Sequence, residues 1–167
     1  MKFFILMGVS GSGKSTVARL LAEKTGGLFL ETDDFHSPAN KEKMAAGIPL
    51  EDEDRWGWLD TLHRELERLI SAPGVLFLAC SALRQAYRER LTEGLPGVHY
   101  IYLTGSKEEI RRRLEQRKGH FMSPSLLESQ FETLEEPEGA LVVSIEQPLD
   151  LLIGEILRHL PPELTTQ

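Results

Sequence analysis

The sequence contains a complete G-x-x-x-x-G-K-[ST] pattern near its start, between Gly8 and Ser15. Glycines at these spacings let the backbone curl so that successive N–H groups point at a phosphate. The side chain of Lys14 can reach the β- and γ-phosphates, and the hydroxyl of Ser15 is a ligand for Mg²⁺. The pattern predicts a site for a nucleoside triphosphate, and its contact residues are Gly8, Ser10, Gly11, Ser12, Gly13, Lys14, Ser15 and Thr16.

The residues on either side of this pattern have the order that phosphate binding requires. Residues 3–7 form an apolar run that predicts a buried strand, and residues 15–24 predict a helix with one apolar face. A pair of glycines at residues 26–27 ends that helix. The positive end of the helix dipole adds to the attraction for phosphate. A glycine-rich turn without a ligand is the alternative, and this context disfavours it.

Three carboxylates, Glu31, Asp33 and Asp34, follow a short apolar run at residues 28–30. Phosphoryl transfer to a hydroxyl needs a group that accepts the hydroxyl proton and holds its oxygen in line with the phosphorus. A carboxylate at a strand end opposite the phosphate loop can do both, and we select Asp33 for this role. Asp33 is also a candidate to hold Mg²⁺ together with Ser15, the nucleotide and water. The alternative interpretation is an acidic turn or a helix cap.

Two arginines near the predicted strand ends have the chemistry to bind an anionic substrate. Arg55 lies at the start of a long helical pattern, where a cation interacts unfavourably with the helix dipole, so a ligand explains it better. Arg84 follows the third apolar run, near the same cleft. Either arginine could form a bidentate, charge-assisted pair with a carboxylate, and the sequence leaves open which one does.

The densest positive cluster lies at residues 111–120 and includes Arg113 and Arg117, four residues apart on one helix face. Gly119 interrupts this helix, and a second helical pattern follows. A basic helix end, a joint and a second helix predict a mobile lid at about residues 117–135. Such a lid excludes water and brings Arg117 to the transferring phosphoryl group. An ordinary charged helix end is the alternative.

Alternating strands and helices position these residues. Apolar runs predict strands at residues 3–7, 28–30, 75–80, 98–103 and 140–145. Helical patterns occur at residues 14–24, 55–70, 84–93, 107–117, 124–134 and 149–160. This alternation predicts βαβ units and a mostly parallel sheet, whose ligands bind beyond the carboxyl ends of the strands. Gln147 and Pro148 follow the last strand, and we therefore assign them to the nucleotide site.

Composition limits the classes of protein that fit. A length of 167 residues predicts one domain, residues 1–167, with the 41% hydrophobic content of an ordinary globular protein. The net charge of −7 argues against nucleic acid as the main partner, because a phosphate backbone requires a basic face. No apolar run approaches the ~18 residues of a membrane span. The single cysteine, Cys80, cannot form an intrachain disulfide, so we predict a cytoplasmic protein without a membrane partner.

Several blocks of the sequence resemble the small P-loop gluconokinases, in order from about Phe4 to about Leu157. These blocks are residues 7–15, Asp33 with His36, Asn40, residues 43–44, 52–55 and 58–59, Cys80-Ser81-Ala82-Leu83 with residues 87–88, Arg117-Lys118-Gly119-His120-Phe121, and residues 130–135. Many nucleotide-binding proteins share the phosphate loop, whereas the blocks at residues 80–83 and 117–121 together are far more specific.

The resemblance implies the P-loop NTPase fold of shikimate and nucleoside-monophosphate kinases. This fold is an α/β three-layer sandwich with a five-stranded parallel sheet, helices on both faces and a mobile helical lid. The implied reaction is phosphoryl transfer from ATP, with Mg²⁺, to D-gluconate, which gives 6-phosphogluconate and ADP. The family further implies a cytoplasmic homodimer that serves the pentose phosphate or Entner–Doudoroff pathway.

Site roles follow from the resemblance by position. Asp33 resembles the catalytic base, and the other catalytic residues would be Lys14 and Arg117. The sugar acid would bind to Asp33, His36, Arg55, Arg84, His120 and Gln130, while Arg113 and Arg117 would contact the nucleotide and its phosphates. Thr32, Gly57 and Arg84 stand where the family usually has Gly, Pro and Lys, and none of these changes removes a charged role.

Two other functions fit the same residues. A kinase for another small anion, such as shikimate or a nucleoside monophosphate, would use the same loop and lid, and a panel of acceptors would separate it. An ATP-binding sensor that does not catalyse is the second alternative, and the presence of Lys14, Ser15, Asp33 and the lid arginines argues against it.

Overall fold

The computed structural model describes residues 1–117 and 123–165. Within these residues five strands form one sheet: β1 (Lys2–Met7), β2 (Leu28–Glu31), β3 (Val75–Ala79), β4 (Val98–Thr104) and β5 (Leu141–Ser144). Their order across the sheet is β2-β3-β1-β4-β5, and every neighbouring pair is parallel. The predicted α/β fold with a five-stranded parallel sheet is confirmed.

Seven α-helices connect and cover the strands in the same part of the chain. They are α1 (Lys14–Thr25), α2 (Pro38–Ala45), α3 (Asp52–Leu69), α4 (Gln85–Thr92), α5 (Lys107–Gln116), α6 (Pro124–Thr133) and α7 (Leu149–His159). Short 3₁₀ helices occur at Thr32–Phe35 and Pro162–Leu164. None of these described helices is long and apolar enough to cross a membrane.

Side chains of β1 alternate between the two faces of the sheet. Phe4 and Leu6 pack in a cluster with residues of α1, α5 and α7, whereas Phe3, Ile5 and Met7 pack in a second cluster with residues of α3 and α4. A strand that is buried on both faces reads as a continuous apolar run, which is why the sequence predicts this one well. Helices therefore cover both faces of the sheet in three layers.

Among the helices in the described part of the chain, α2 is the one that the sequence patterns above do not include. Its start has the expected signals, because Pro38 is its first residue and the Ser37 hydroxyl accepts a hydrogen bond from the Asn40 N–H at 3.1 Å. Its only buried residue is Asn40, so the helix lacks the apolar periodicity on which helix prediction depends. The other predicted helices differ most at α3, which begins at Asp52 instead of Arg55.

Candidate active site

A cavity of about 660 Å³ opens at the carboxyl ends of the central strands, where the parallel sheet predicts a ligand site. It brings together ten of the residues that the sequence assigns to a site: Ser10, Gly11, Gly13, Lys14, Ser15, Asp33, His36, Arg55, Arg117 and Gln130. Glu31, Trp58 and Ser81 also line it. One cavity therefore contains the phosphate loop, acidic groups and arginines.

The phosphate loop has a conformation that favours glycine. Gly11 and Gly13 have φ angles of 83° and 94°, in the left-handed region. At Gly8, a Cβ atom would lie 2.7 Å from the Leu103 carbonyl oxygen and 2.9 Å from the Ser12 hydroxyl. That hydroxyl is buried against Gly8 and, among the described residues, has no hydrogen-bond partner. Gly8 and Ser12 thus shape the loop from behind and do not line the cavity.

Lys14 lies in the centre of the loop and faces two carboxylates. Its Nζ donates a hydrogen bond to the Val9 carbonyl oxygen at 3.0 Å. Burial lowers the pKa of Lys14, and the charges of Asp33 and Glu31 partly oppose that shift. The ammonium group is therefore held at the loop by a neutral carbonyl, with negative charge nearby.

Glu31 is a carboxylate that the sequence analysis did not select, and it lies next to the phosphate loop. The Ser15 hydroxyl donates a short hydrogen bond to the Glu31 carboxylate, and burial raises the pKa of that carboxyl group. Hydroxyl and carboxylate oxygens are ligands that Mg²⁺ prefers. In the described residues no group of three or more His, Cys, Asp and Glu could hold a metal alone. The position of Glu31 at the end of β2, beside the loop, was the available signal.

Asp33 and His36 lie side by side in the lining of the cavity. Asp33 is in the 3₁₀ helix after β2, and its Oδ1 is 3.9 Å from His36 Nε2. The His36 ring stacks on Trp58, with 4.1 Å between ring centroids and an interplanar angle of 17°. Burial lowers the pKa of His36; the charge of Asp33 partly opposes this shift, whereas the charges of Arg55 and Lys41 act in the same direction as burial. The ring is therefore held in a fixed orientation and disfavours its charged form.

The two arginines proposed for a carboxylate have different positions. Arg55 lines the cavity, and its Nη1 donates a hydrogen bond to the Tyr87 hydroxyl at 3.1 Å. Arg84 lies outside the cavity lining, with its Nη1 3.6 Å from the Asp52 carboxylate. Tyr87 in turn donates a short hydrogen bond to Asp52, and burial together with this bond raises the pKa of Tyr87 to about 12. Sequence reasoning gave neither Asp52 nor Tyr87 a role.

Two residues of the predicted lid reach the cavity, one just after α5 and one on α6. Arg117 lies just after α5 and lines the cavity. Gln130, on α6, accepts a hydrogen bond from the Ser10 N–H through its Oε1 at 2.6 Å. The second helix of the predicted lid thus contacts the phosphate loop directly. His120, assigned to the sugar acid, falls outside the described residues.

Besides Gly8 and Ser12, four other residues assigned to the nucleotide do not line this cavity. Arg113 donates hydrogen bonds to the Ile145 carbonyl oxygen at 2.5 Å and to Glu109 at 2.8 Å. It nevertheless lies near the phosphate loop, because a Cβ atom built on Gly13 would be 4.0 Å from its Nη1. Gln147 bonds to the Ser144 carbonyl oxygen and to Glu155, both at 2.9 Å. Pro148 caps α7, and Thr16 is exposed on α1.

This fold and this site define a P-loop kinase, because the phosphate loop, a carboxylate that follows β2 and two arginines meet in one cavity. A model of the AAA domain family matches residues 3–137. The thermoresistant gluconokinase of Escherichia coli (strain K12) is 44% identical over an alignment of 158 positions, which covers 92% of this chain and 90% of that protein. The chain belongs to the gluconokinase family.

Solved structures agree with this assignment. The unliganded structure of a sugar kinase from Janibacter sp. HTCC2649 is 42% identical and superposes with a TM-score of 0.91, covering 100% of this chain and 99% of that one. A gluconokinase from Sinorhizobium meliloti 1021 is 44% identical, with a TM-score of 0.83 over 92% of this chain and 88% of that one. The sequence resemblance described above is thereby confirmed.

Proposed function

We propose that this protein transfers the γ-phosphoryl group of ATP to D-gluconate and releases 6-phosphogluconate and ADP. The observation that carries this proposal is a single cavity in which the phosphate loop faces Asp33, His36 and Arg55. Gluconokinases about 44% identical over most of the chain support the same substrate. A sugar acid offers a hydroxyl to the carboxylate and a carboxylate to the arginine, so its two ends match the cavity.

The phosphate side of the reaction relies on the loop. Backbone N–H groups of residues 8–15 would bind the phosphates, and Lys14 would exchange the Val9 carbonyl for phosphate oxygens, which form stronger, charge-assisted hydrogen bonds. Ser15 and Glu31 have the donor atoms to hold Mg²⁺ with the nucleotide and water. When bound, the metal supplies charge neutralisation at the phosphate oxygens.

On the acceptor side, Asp33 would accept the proton of the primary hydroxyl as its oxygen attacks the γ-phosphorus. The new O–P bond replaces the bond to the β-phosphate oxygen, and ADP leaves. Arg55 would bind the carboxylate at the other end of the sugar acid, since it lines the cavity and Arg84 does not. Arg84 also pairs with Asp52, the partner of Arg55, so that the group formed by these three side chains stays positively charged.

We propose that residues 1–167 are one kinase domain with a lid at about residues 117–135. In this proposal Arg117 stabilises the charge on the transferring phosphoryl group, and Gln130 and His120 contact the sugar acid once the lid closes. The nucleotide contacts of Gly8, Ser12, Thr16, Arg113, Gln147 and Pro148 stay predictions of the same kind. Family resemblance also supports a cytoplasmic homodimer in the pentose phosphate pathway, which light scattering and cell fractionation would test.

The first test measures ADP release with MgATP and a panel of acceptors: gluconate, other aldonates, glucitol, shikimate and nucleoside monophosphates. Glucitol is the matched control, because it replaces the carboxylate of gluconate with a neutral CH₂OH group. We expect stimulation by gluconate far above that by glucitol. Stimulation by shikimate or a nucleoside monophosphate instead would contradict the proposal, and ATP binding without stimulation by any acceptor would favour a sensor.

The same assay assigns the carboxylate contact. We expect Arg55→Met to lower kcat/KM for gluconate by about 10–100-fold, the loss of one or two charged hydrogen bonds, and to leave glucitol nearly unchanged. Arg84→Met should have a smaller effect. Arg64→Met, on an exposed turn of the same helix α3, is the control for the loss of an arginine. A larger effect of Arg84→Met than of Arg55→Met would instead assign the contact with the substrate carboxylate to Arg84.

A further inference from the structure

Asn40 is a buried amide that the proposed reaction does not use. Its side chain lies between His36 and the start of α3, and only 5% of its surface is exposed. The side-chain nitrogen, Nδ2, is 2.7 Å from the Asp54 carbonyl oxygen and 3.2 Å from His36 Nδ1. A buried amide with two partners is held in one orientation, so its hydrogen bonds constrain the groups that it contacts.

These two contacts fix which nitrogen of His36 carries the proton. The Asp54 carbonyl can only accept, so the Asn40 atom that faces it must be the NH₂ group. An NH₂ group can only donate, so His36 Nδ1 must accept its second hydrogen. An imidazole that accepts at Nδ1 is neutral and has its proton on Nε2. Asn40 therefore holds His36 as a donor at Nε2.

The Nε2–H group faces the acceptor side of the cavity. It is 3.9 Å from Asp33 Oδ1, which is too far for a direct hydrogen bond. Two atoms at this separation can both contact one hydroxyl oxygen at ordinary hydrogen-bond distances. That oxygen would accept from His36 and donate to Asp33.

We propose that Asn40 is a positioning residue: it fixes His36 as a neutral Nε2–H donor, so that His36 and Asp33 bind one hydroxyl of the sugar acid in a single orientation. The proposal rests on the proposed function. The hydroxyl proton is then directed at Asp33, the carboxylate that accepts it. A carbonyl or carboxylate oxygen cannot donate to Asp33, and an ammonium group cannot accept from His36, so the pair selects a hydroxyl.

The surroundings of His36 keep the ring in this state. Trp58 stacks on the ring and is itself held by a hydrogen bond from its Nε1 to the Thr32 carbonyl oxygen at 2.8 Å. Protonation of Nδ1 would place two donors against each other at Asn40. Of the charged groups that face His36, Arg55 and Lys41 oppose its protonation and Asp33 favours it.

The direct test is ¹⁵N NMR of the imidazole nitrogens in the full chain, without substrate. The chain has five histidines, and the His36→Gln variant assigns the His36 signals by their loss. We expect a protonated Nε2 and an unprotonated Nδ1 at neutral pH. In Asn40→Asp the carboxylate can only accept, so we expect Nδ1 to become protonated. A wild-type ring protonated at Nδ1, or an unchanged tautomer in Asn40→Asp, would overturn the proposal.

Kinetics test the consequence for the substrate. Asn40→Asp should lower kcat/KM for gluconate by about 10–100-fold, as losses of supporting hydrogen bonds in active sites commonly do, and should leave the KM for ATP unchanged. Lys43→Met is the matched control, because it breaks the contact of Lys43 with the Asp54 side chain at the same α2–α3 junction without touching His36. An equal loss in Lys43→Met would reduce Asn40 to a structural role and overturn the proposal.

Two outcomes stay distinguishable. If Asn40→Asp does not fold, the wild-type spectrum alone still decides the tautomer. If the wild-type protein does not phosphorylate gluconate, the proposed function fails together with the hydroxyl contact, whereas the spectrum still decides whether Asn40 sets the state of His36.

Discussion

Asp52 pairs with both arginines of this region, Arg55 and Arg84. Its carboxylate accepts a short hydrogen bond from Tyr87 and lies 3.9 Å from Arg55 and 3.6 Å from Arg84. The Arg55 guanidinium also lies over the Tyr87 ring, 5.0 Å from its centroid. These contacts order Arg55 before a ligand arrives, which removes part of the entropy cost of binding.

The Tyr87 hydroxyl gives a prediction at this scale. Tyr87→Phe keeps the ring beneath Arg55 and removes the hydrogen bonds to Arg55 and Asp52. Since hydrogen bonds to charged groups contribute about 1.5–3 kcal/mol, we expect the KM for gluconate to rise about 10–100-fold with little change in the KM for ATP. Tyr100→Phe is the control, because that hydroxyl contacts Arg88 and Thr92. Equal effects of both variants on steady-state kinetics would exclude a special role for Tyr87.

At the scale of elements, α5 is attached to the sheet through Arg113. Its guanidinium bridges Glu109 on the same helix and the Ile145 carbonyl oxygen after β5. Hydrogen bonds from Arg112 and Arg113 lower the pKa of Glu109 to about 2. Arg113, which the sequence analysis assigned to the nucleotide, thus has its hydrogen-bond partners within the fold. These hydrogen bonds hold α5, the helix that leads to Arg117, against the sheet.

The lowered pKa of Glu109 makes its contribution to stability depend on pH. Because the folded-state pKa lies below the ordinary 4.5, the stabilisation is complete above pH ~4.5 and is lost as the pH falls towards 2. We therefore expect Glu109→Gln to be less stable than wild type at pH 7 and equally stable near pH 2. Urea unfolding across this range measures the difference, and Glu115→Gln, at an exposed position of the same helix, is the control for the substitution itself.

Sequence predicts the elements with apolar periodicity and misses those without it. Strand β1 and helix α1 are read from buried runs and from the phosphate-loop pattern between them. Helix α2 has only Asn40 buried, so it has no apolar periodicity, although Ser37 and Pro38 are typical of a helix start. Asn40, the side chain proposed to set the protonation of His36, therefore lies on α2, the helix that is hardest to predict from sequence.

At the scale of the whole molecule, the unpredicted part of the site consists of contacts between distant residues. The Tyr87–Asp52 hydrogen bond joins residues 35 apart in sequence, and the Ser10–Gln130 bond joins residues 120 apart. Residue type and position indicated Arg55, and the family resemblance indicated Gln130, but only the folded sheet decides that Arg55 and not Arg84 lines the cavity. Motifs give the chemistry of such a site, and packing decides which side chains meet.

The core beneath the cavity gives a prediction for the molecule as a whole. Leu62, on α3, is fully buried in the cluster that contains Phe3 and Ile5. Truncation leaves a cavity, so we expect Leu62→Ala to lower the free energy of unfolding by about 2–5 kcal/mol and to keep both KM values where the protein is folded. Leu151→Ala, at a leucine that is 58% exposed, should cost little. Chemical denaturation compares the two, and equal stabilities would contradict this expectation.

Strand β1 has a parallel neighbour on each side, and its side chains from Phe3 to Met7 are all buried. In native-state hydrogen exchange, amides of such a strand open only with the entire fold, whereas elements that bury little surface open locally and often. Helix α2, with Asn40 alone buried, is of the second kind. The nucleotide loop, continuous with β1, therefore persists as long as the protein stays folded. We therefore expect the contact of Asn40 with His36 to open more often than β1 does and, under the proposed function, warming to lower acceptor selectivity before it lowers nucleotide affinity.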